Sequence, residues 1–295
     1  MNSVHIGIIA AIFSTMSWAI CSILFKKLGE RLSSTGMTMM KTALSTIILY
    51  IICLITSSDF ILPKSDLLPI AFSGILGIAI GDSLFFASLS RLSPIMLSII
   101  LFVGPDLFSG ILGFICLKEK PSAISWIGIA LILTGLLFYI FPVKKGNDTQ
   151  KTQLVGIVFA LLSLICTSYS MVIIKPVLAV SPTIPTTMYR MMFATIALFL
   201  YGIISKKVNI WFNVLKDKIY TLKLSATTSI ATIGGFWLSL VAIKNIELIV
   251  ASSVMSLEPL FIMIFMVLFY KYIPTKKEIA GVIFTIIGIT CLCIN

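Results

Sequence analysis

The chain has 295 residues, 59% of them hydrophobic and 11% charged, with a mean hydropathy of +1.12. Soluble domains carry about 25% charged residues, so this composition excludes a soluble globular protein and defines an integral membrane one. The net charge of +11 is not a nucleic-acid footprint, because the basic residues stand between apolar runs, where they set topology and meet anionic lipid.

A membrane-spanning helix needs about 20 mostly apolar residues. Ten such runs follow one another, at 5–25, 36–57, 68–89, 93–116, 122–141, 154–174, 185–205, 222–243, 247–270 and 276–294. Runs of this length must satisfy their backbone polar groups internally, which predicts helices. No ten-residue alternation marks a β-barrel. The first run lacks a basic leader and reads as a retained helix. Most connections are short. Pro142–Gln153 reads as a linker, and Ser205–Lys223, with Trp211, Phe212 and Tyr220 among lysines, reads as an amphipathic segment at the interface. The six cysteines form no CxxC and no Cys/His cluster, so metal sites and disulfides are not expected.

The chain is written twice. Gly81, Ser98 and Pro105 recur at Gly235, Ser252 and Pro259, a constant offset of about 154. Lys118, Pro121, Gly128 and Gly135 recur about 153 positions on. Gly7, Ser14, Lys26, Lys41 and Thr46 are matched about 149 positions on by Gly156, Ser163, Lys175, Arg190 and Thr195. This is an internal duplication, dividing the chain at 1–145 and 146–295. Five helices is an odd number, so the second copy enters the membrane from the opposite side. Inverted repeats of this kind are typical of secondary transporters, with the substrate near the midplane between them.

Interior charges are the first functional candidates, since each costs at least about 2.5–3.5 kcal/mol at the bilayer centre. Asp106 and Glu258 fall near mid-span and Asp82 about two-thirds along. They either line a cavity, binding a cationic group or exchanging a proton, or pair with Lys41, Arg190 or a helix end. Lys41 and Arg190, equivalent in the two copies, grasp an anionic group or snorkel to headgroups. Pro105 and Pro259 are placed mid-helix as hinges. Ser98 and Ser252 are cavity hydroxyls or interhelical ties. Trp18, Tyr169 and Trp237 supply a cation–π or stacking wall, or ordinary packing and interface belts. Gly74, Gly77 and Gly81 mark close helix contact.

In its motifs the repeat resembles the EamA-type branch of the drug/metabolite transporter superfamily. Leu257-Glu258-Pro259 stands late in the fourth helix (Val103-Gly104-Pro105 in the first copy). The basic turn Lys118-Glu119-Lys120-Pro121 and the glycine-spaced last helices follow, and a cation opens the second helix of each copy. The resemblance implies a ten-helix carrier with a central cavity, peripheral fifth helices, cytoplasmic termini and no cofactor. The chain departs from the pattern at Gly104 and Tyr272, where acids would stand; Asp106 and Asp82 are the candidate substitutes.

The expected function is secondary transport of a small metabolite, amino-acid-like or amphipathic cationic compound by alternating access. Protons and membrane lipid are the expected partners, nucleic acid is not, and the expected location is a bacterial inner membrane. A lipid-facing flippase or membrane interaction subunit is the alternative. An enzyme would need a reactive constellation, and HExxH, GxSxG and a His beside an acid are all missing. Nothing in the sequence fixes an oligomeric state. Orientation has two readings. About fifteen of the 22 Lys and Arg residues lie on one side, with the 1–2, 3–4, 5–6, 7–8 and 9–10 connections, and the positive-inside rule makes that side cytoplasmic. The resemblance instead makes the side of the termini cytoplasmic. Under either reading, accessibility labels in residues 142–153 and at the N-terminus should report opposite faces; the same face for both would end the inverted arrangement.

Overall fold

The computed structural model describes residues 3–56, 62–103, 147–246 and 248–293, with 127, 128, 130, 131, 134 and 135. The described residues form helices and short connections only. The first helices are α1 (Ser3–Leu28), α2 (Ser34–Ile55) and α3 (Lys64–Leu89). α4 runs from Pro94–Ser98 into a π-helical segment, Ile99–Val103, and the described residues of α5 are helical. The second repeat has α6 (Asn147–Val180), α7 (Thr183–Ile204), α8 (Lys218–Asn245), α9 in two pieces (Leu248–Met255 and Glu258–Tyr270) and α10 (Lys276–Cys293). Six of these helices are long and apolar enough to cross a membrane. Their outer faces carry Ile55, Leu68, Phe72, Val180 and Ile204, all more than half exposed, as lipid contact requires.

Two expectations about connections change. Residues 147–153, read as linker, are the first turns of α6; helical propagation carries the apolar span outward into its polar flank, at about 1.5 Å per residue. The segment after α7 contains a short helix, Val208–Asn213, as expected, but its Trp211 is only 1% exposed. The indole docks against Gly36 and Gly202, stacks on Tyr201 and donates to Ser33 Oγ at 3.1 Å. Asp217 then caps α8, accepting from the Ile219 and Tyr220 amides, and pairs with Arg31 at 2.6 Å. These bonds hold its carboxyl below the ordinary carboxylate range, the Arg31 hydrogen bond most of all. α10 starts with a capping box, Thr275 and Glu278. Tyr272, the departure from the acidic pattern, donates to Glu278 at 2.7 Å.

The duplication is visible as repeated contacts. α1 packs on α8 as α6 packs on α3, and α2 packs most extensively on α7. Ser14 Oγ donates to the Gly235 carbonyl at 2.9 Å, and its equivalent Ser163 to the Gly81 carbonyl at 2.8 Å. Cys21 reaches the Thr227 carbonyl where Ser170 and Ser73 bond each other. Gly7 lies against Ile246 and Asn245, and Gly156 against Leu92 and Arg91. Each pair follows the offsets read from the sequence. The first helix of each copy is therefore bound to the third helix of the other, and α2 and α7 meet across the pseudo-twofold axis.

Both third helices widen into π turns at the same place, Gly74–Ile80 and Ile230–Trp237. π turns are rare and concentrate at functional sites. There α3 approaches α7 and α6 so closely that a Cβ on Gly74 would lie 2.4 Å from the Arg190 carbonyl oxygen, and one on Gly77 2.3 Å from Ser170 Oγ. Gly74→Ala should lower stability by about 1–3 kcal/mol, the usual cost of overpacking, whereas Ile75→Ala, 38% exposed, should leave it nearly unchanged. Thermal unfolding in detergent measures both.

Candidate functional site

Among the described residues, four interior charges lie where the repeats meet. Lys41 sits on α2, two turns into the helix, and its ammonium pairs with the Asp82 carboxylate on α3, just after the π turn. Both are buried, Lys41 at 1% exposure. Three rings surround the ammonium. Phe236 is 4.5 Å from it, Phe86 5.4 Å and Trp18 6.0 Å, all within cation–π range. Phe236 holds the position in copy two that Asp82 holds in copy one, so Lys41 touches an equivalent pair of residues, one charged and one aromatic. Trp18 leans edge-to-face on Phe236 at 4.8 Å, and the missing side chain of Gly235 lets the indole approach.

Arg190, the counterpart of Lys41, is also buried but differently served. Its Nη2 donates to Ser170 Oγ at 2.9 Å, while Nε and Nη1 have no hydrogen-bond partner. Asp82 acts on it electrostatically without forming an ion pair. Glu258 opens the second piece of α9, where the helix dipole favours an anion. Ser22 Oγ donates to its Oε1 at 3.1 Å, and Oε2 has no partner. Among the described residues, buried side-chain nitrogens and oxygens without a partner occur only in Arg190, Glu258 and Thr228. No group of metal-binding side chains occurs among them.

The other sequence candidates separate. Pro259 is not in a helix interior. α9 breaks at Ser256–Leu257, and Pro259 occupies the first turn of the second piece, where a missing amide costs nothing. Ser98 Oγ donates to Ile95 of its own helix at 2.8 Å and bridges nothing. Trp237 Nε1 donates to Thr183 Oγ1 at 3.1 Å, tying α8 to the start of α7. Tyr169, expected on the cavity wall, is 64% exposed and lines up with Leu162, Ile165 and Val172, the outward stripe of α6. Its neighbour Ser170 is the inward residue. Asp106 and Pro105 lie outside the described residues, as does the side chain of Ser252. Phe86, Phe236, Ser22 and Ser170 were not singled out beforehand. Phe236 could have been found, since it stands at the position that matches Asp82.

A ten-helix bundle of inverted repeats with charges at their junction defines a membrane transporter of small molecules. The model of the EamA-like transporter family matches residues 5–141 and 154–294, and the chain belongs to that family. No curated protein sequence matches it. A solved structure, described only as the crystal structure of a protein, aligns over 98% of this chain and 95% of its own, with 14% identity and a TM-score of 0.56. At that identity the likeness concerns the fold alone.

Removing one partner of a buried ion pair leaves the other uncompensated, at about 3–5 kcal/mol, whereas replacing both with apolar groups is often neutral. Lys41→Met and Asp82→Leu should each lower the unfolding temperature sharply, and the double variant should regain most of the loss. Equal instability in all three would show that the pair is not what these residues contribute.

Proposed function

We propose that the protein is a secondary carrier, working without ATP, that moves a small amino-acid-like or amphipathic cationic metabolite by alternating access of its two inverted repeats. The observation that carries this reading is the set of four buried charges at the repeat junction, of which only one pair is mutually satisfied. Unpaired charge in a bundle interior is too costly to keep for packing alone. Glu258 is the coupling group: its free Oε2 takes up and releases a proton as the repeats rock. The break at Ser256–Leu257 gives α9 two half-helices, a form that transporters use to bring helix ends to a substrate. A bacterial inner membrane is the setting that fits such a carrier.

A second reading, lipid translocation, has one observation in its favour. A cavity of about 410 Å³ lies between α2, α3 and α7, lined by Ile75, Ile80, Leu84 and Tyr201 with the Ser34 and Ser83 hydroxyls. Solute uptake against lipid scrambling in the same proteoliposomes separates the two. Glu258→Gln should abolish uptake while the unfolding temperature stays within a few degrees of the parent. Normal uptake by that variant would remove Glu258 from the mechanism.

A further inference from the structure

The unsatisfied groups at the junction are of opposite sign and do not face each other. Arg190 offers two free N–H nitrogens and Glu258 a free carboxylate oxygen, both residues about 1% exposed. Between them the charges run in a row. Glu258 is held by Ser22 of α1; one turn earlier on α1, Trp18 lies 6.0 Å from the Lys41 ammonium; Lys41 pairs with Asp82; and about one turn before Asp82 on α3, Gly77 lies beside Arg190 Nη2. Signs alternate along the row, the inner pair is closed, and both ends are open. Among the described residues no ion pair joins Arg190 to Glu258. The rings of Trp18, Phe85 and Phe236 pack beside the inner pair and give apolar surface between the two ends.

We propose that the transported substrate is a zwitterion with its charges held apart by an apolar spacer, its anionic group binding Arg190 and its ammonium binding Glu258. The assignment rests on the carrier reading and narrows it. A guanidinium already anchored by Ser170 through one nitrogen is pre-set to donate the others to a carboxylate, and charge-assisted bonds of this kind are roughly twice as strong as neutral ones. A carboxylate is a matched receptor for an ammonium. A compound with adjacent charges, such as an α-amino acid, reaches one end of the row and leaves the other unsatisfied. A compound with one charge does the same. Lys41 and Asp82 neutralise each other, and the pair serves as the floor on which the spacer lies.

Two constitutional isomers isolate the spacing: 6-aminohexanoate and norleucine carry the same atoms and the same charges, apart in one and adjacent in the other. Hexylamine and hexanoate each keep one charge. With the purified full-length protein, 6-aminohexanoate should raise the unfolding temperature and bind at least about tenfold more tightly than the other three, the loss expected for one unmade charged hydrogen bond. Arg190→Gln should erase its advantage over hexylamine, and Glu258→Gln its advantage over hexanoate. Equal or tighter binding of norleucine by the parent protein, equal binding of a singly charged probe, or no shift with 6-aminohexanoate overturns the assignment, and these comparisons need no variant to fold. Proteoliposomes that move solutes from a metabolite panel without this ranking leave the carrier reading standing. Proteoliposomes that move none of the panel and scramble lipid remove the carrier reading itself.

Discussion

The ion pair between Lys41 and Asp82 is the constraint around which the interior is arranged. Bringing two charges out of water costs several kcal/mol each, and their attraction offsets this only with close geometry and further partners. Here the partners are Phe236, Phe86 and Trp18 over the ammonium. They come from α8, α3 and α1, so one buried cation fixes helices of both repeats against α2. The π turn before Asp82 and the glycines within it set the close approach of α3 to α7 and α6.

Pseudo-symmetry makes the remaining charges informative. Equivalent positions in two inverted copies meet equivalent backbones, as the paired contacts of Ser14 and Ser163 show. Side chains are free to differ, and they do so at the axis. Lys41 has an acid and a ring where the offset places Asp82 and Phe236. Arg190 has a serine and a distant acid. Glu258 faces Ser22, and its counterpart in copy one is Gly104, which carries no charge. A scaffold that repeats its packing while varying its charges separates what holds the bundle from what is available to a ligand.

Much of this was legible in the sequence. Constant offsets gave the duplication, apolar runs gave most of the described spans to within a few residues, and rarity of charge singled out Lys41, Asp82, Arg190 and Glu258. What escaped has physical causes. In a chain this apolar, no periodicity tells which face of α6 meets lipid, so the two readings of Tyr169, cavity wall or packing and interface belt, stayed open until its exposed position was seen. Proline signals a helix break equally from an interior or from a first turn, so Pro259 was placed mid-helix when it stands in the first turn after the break at Ser256–Leu257. The rings around Lys41 are three among many aromatics, and only tertiary packing selects them. The polar turns of Asn147–Gln153 are helical because a long apolar helix propagates into them, which composition does not announce.

The exchange of partners between copies, α1 on α8 and α6 on α3, bears on biosynthesis. The hydroxyl of Ser14 meets its acceptor 221 residues later in the chain. Loop closure of that length is slow and leaves early segments exposed. The first helix must therefore wait in the lipid, or with the insertion machinery, until the eighth has been translated. The two halves of the polypeptide cannot mature one after the other as independent units; they complete each other late and together.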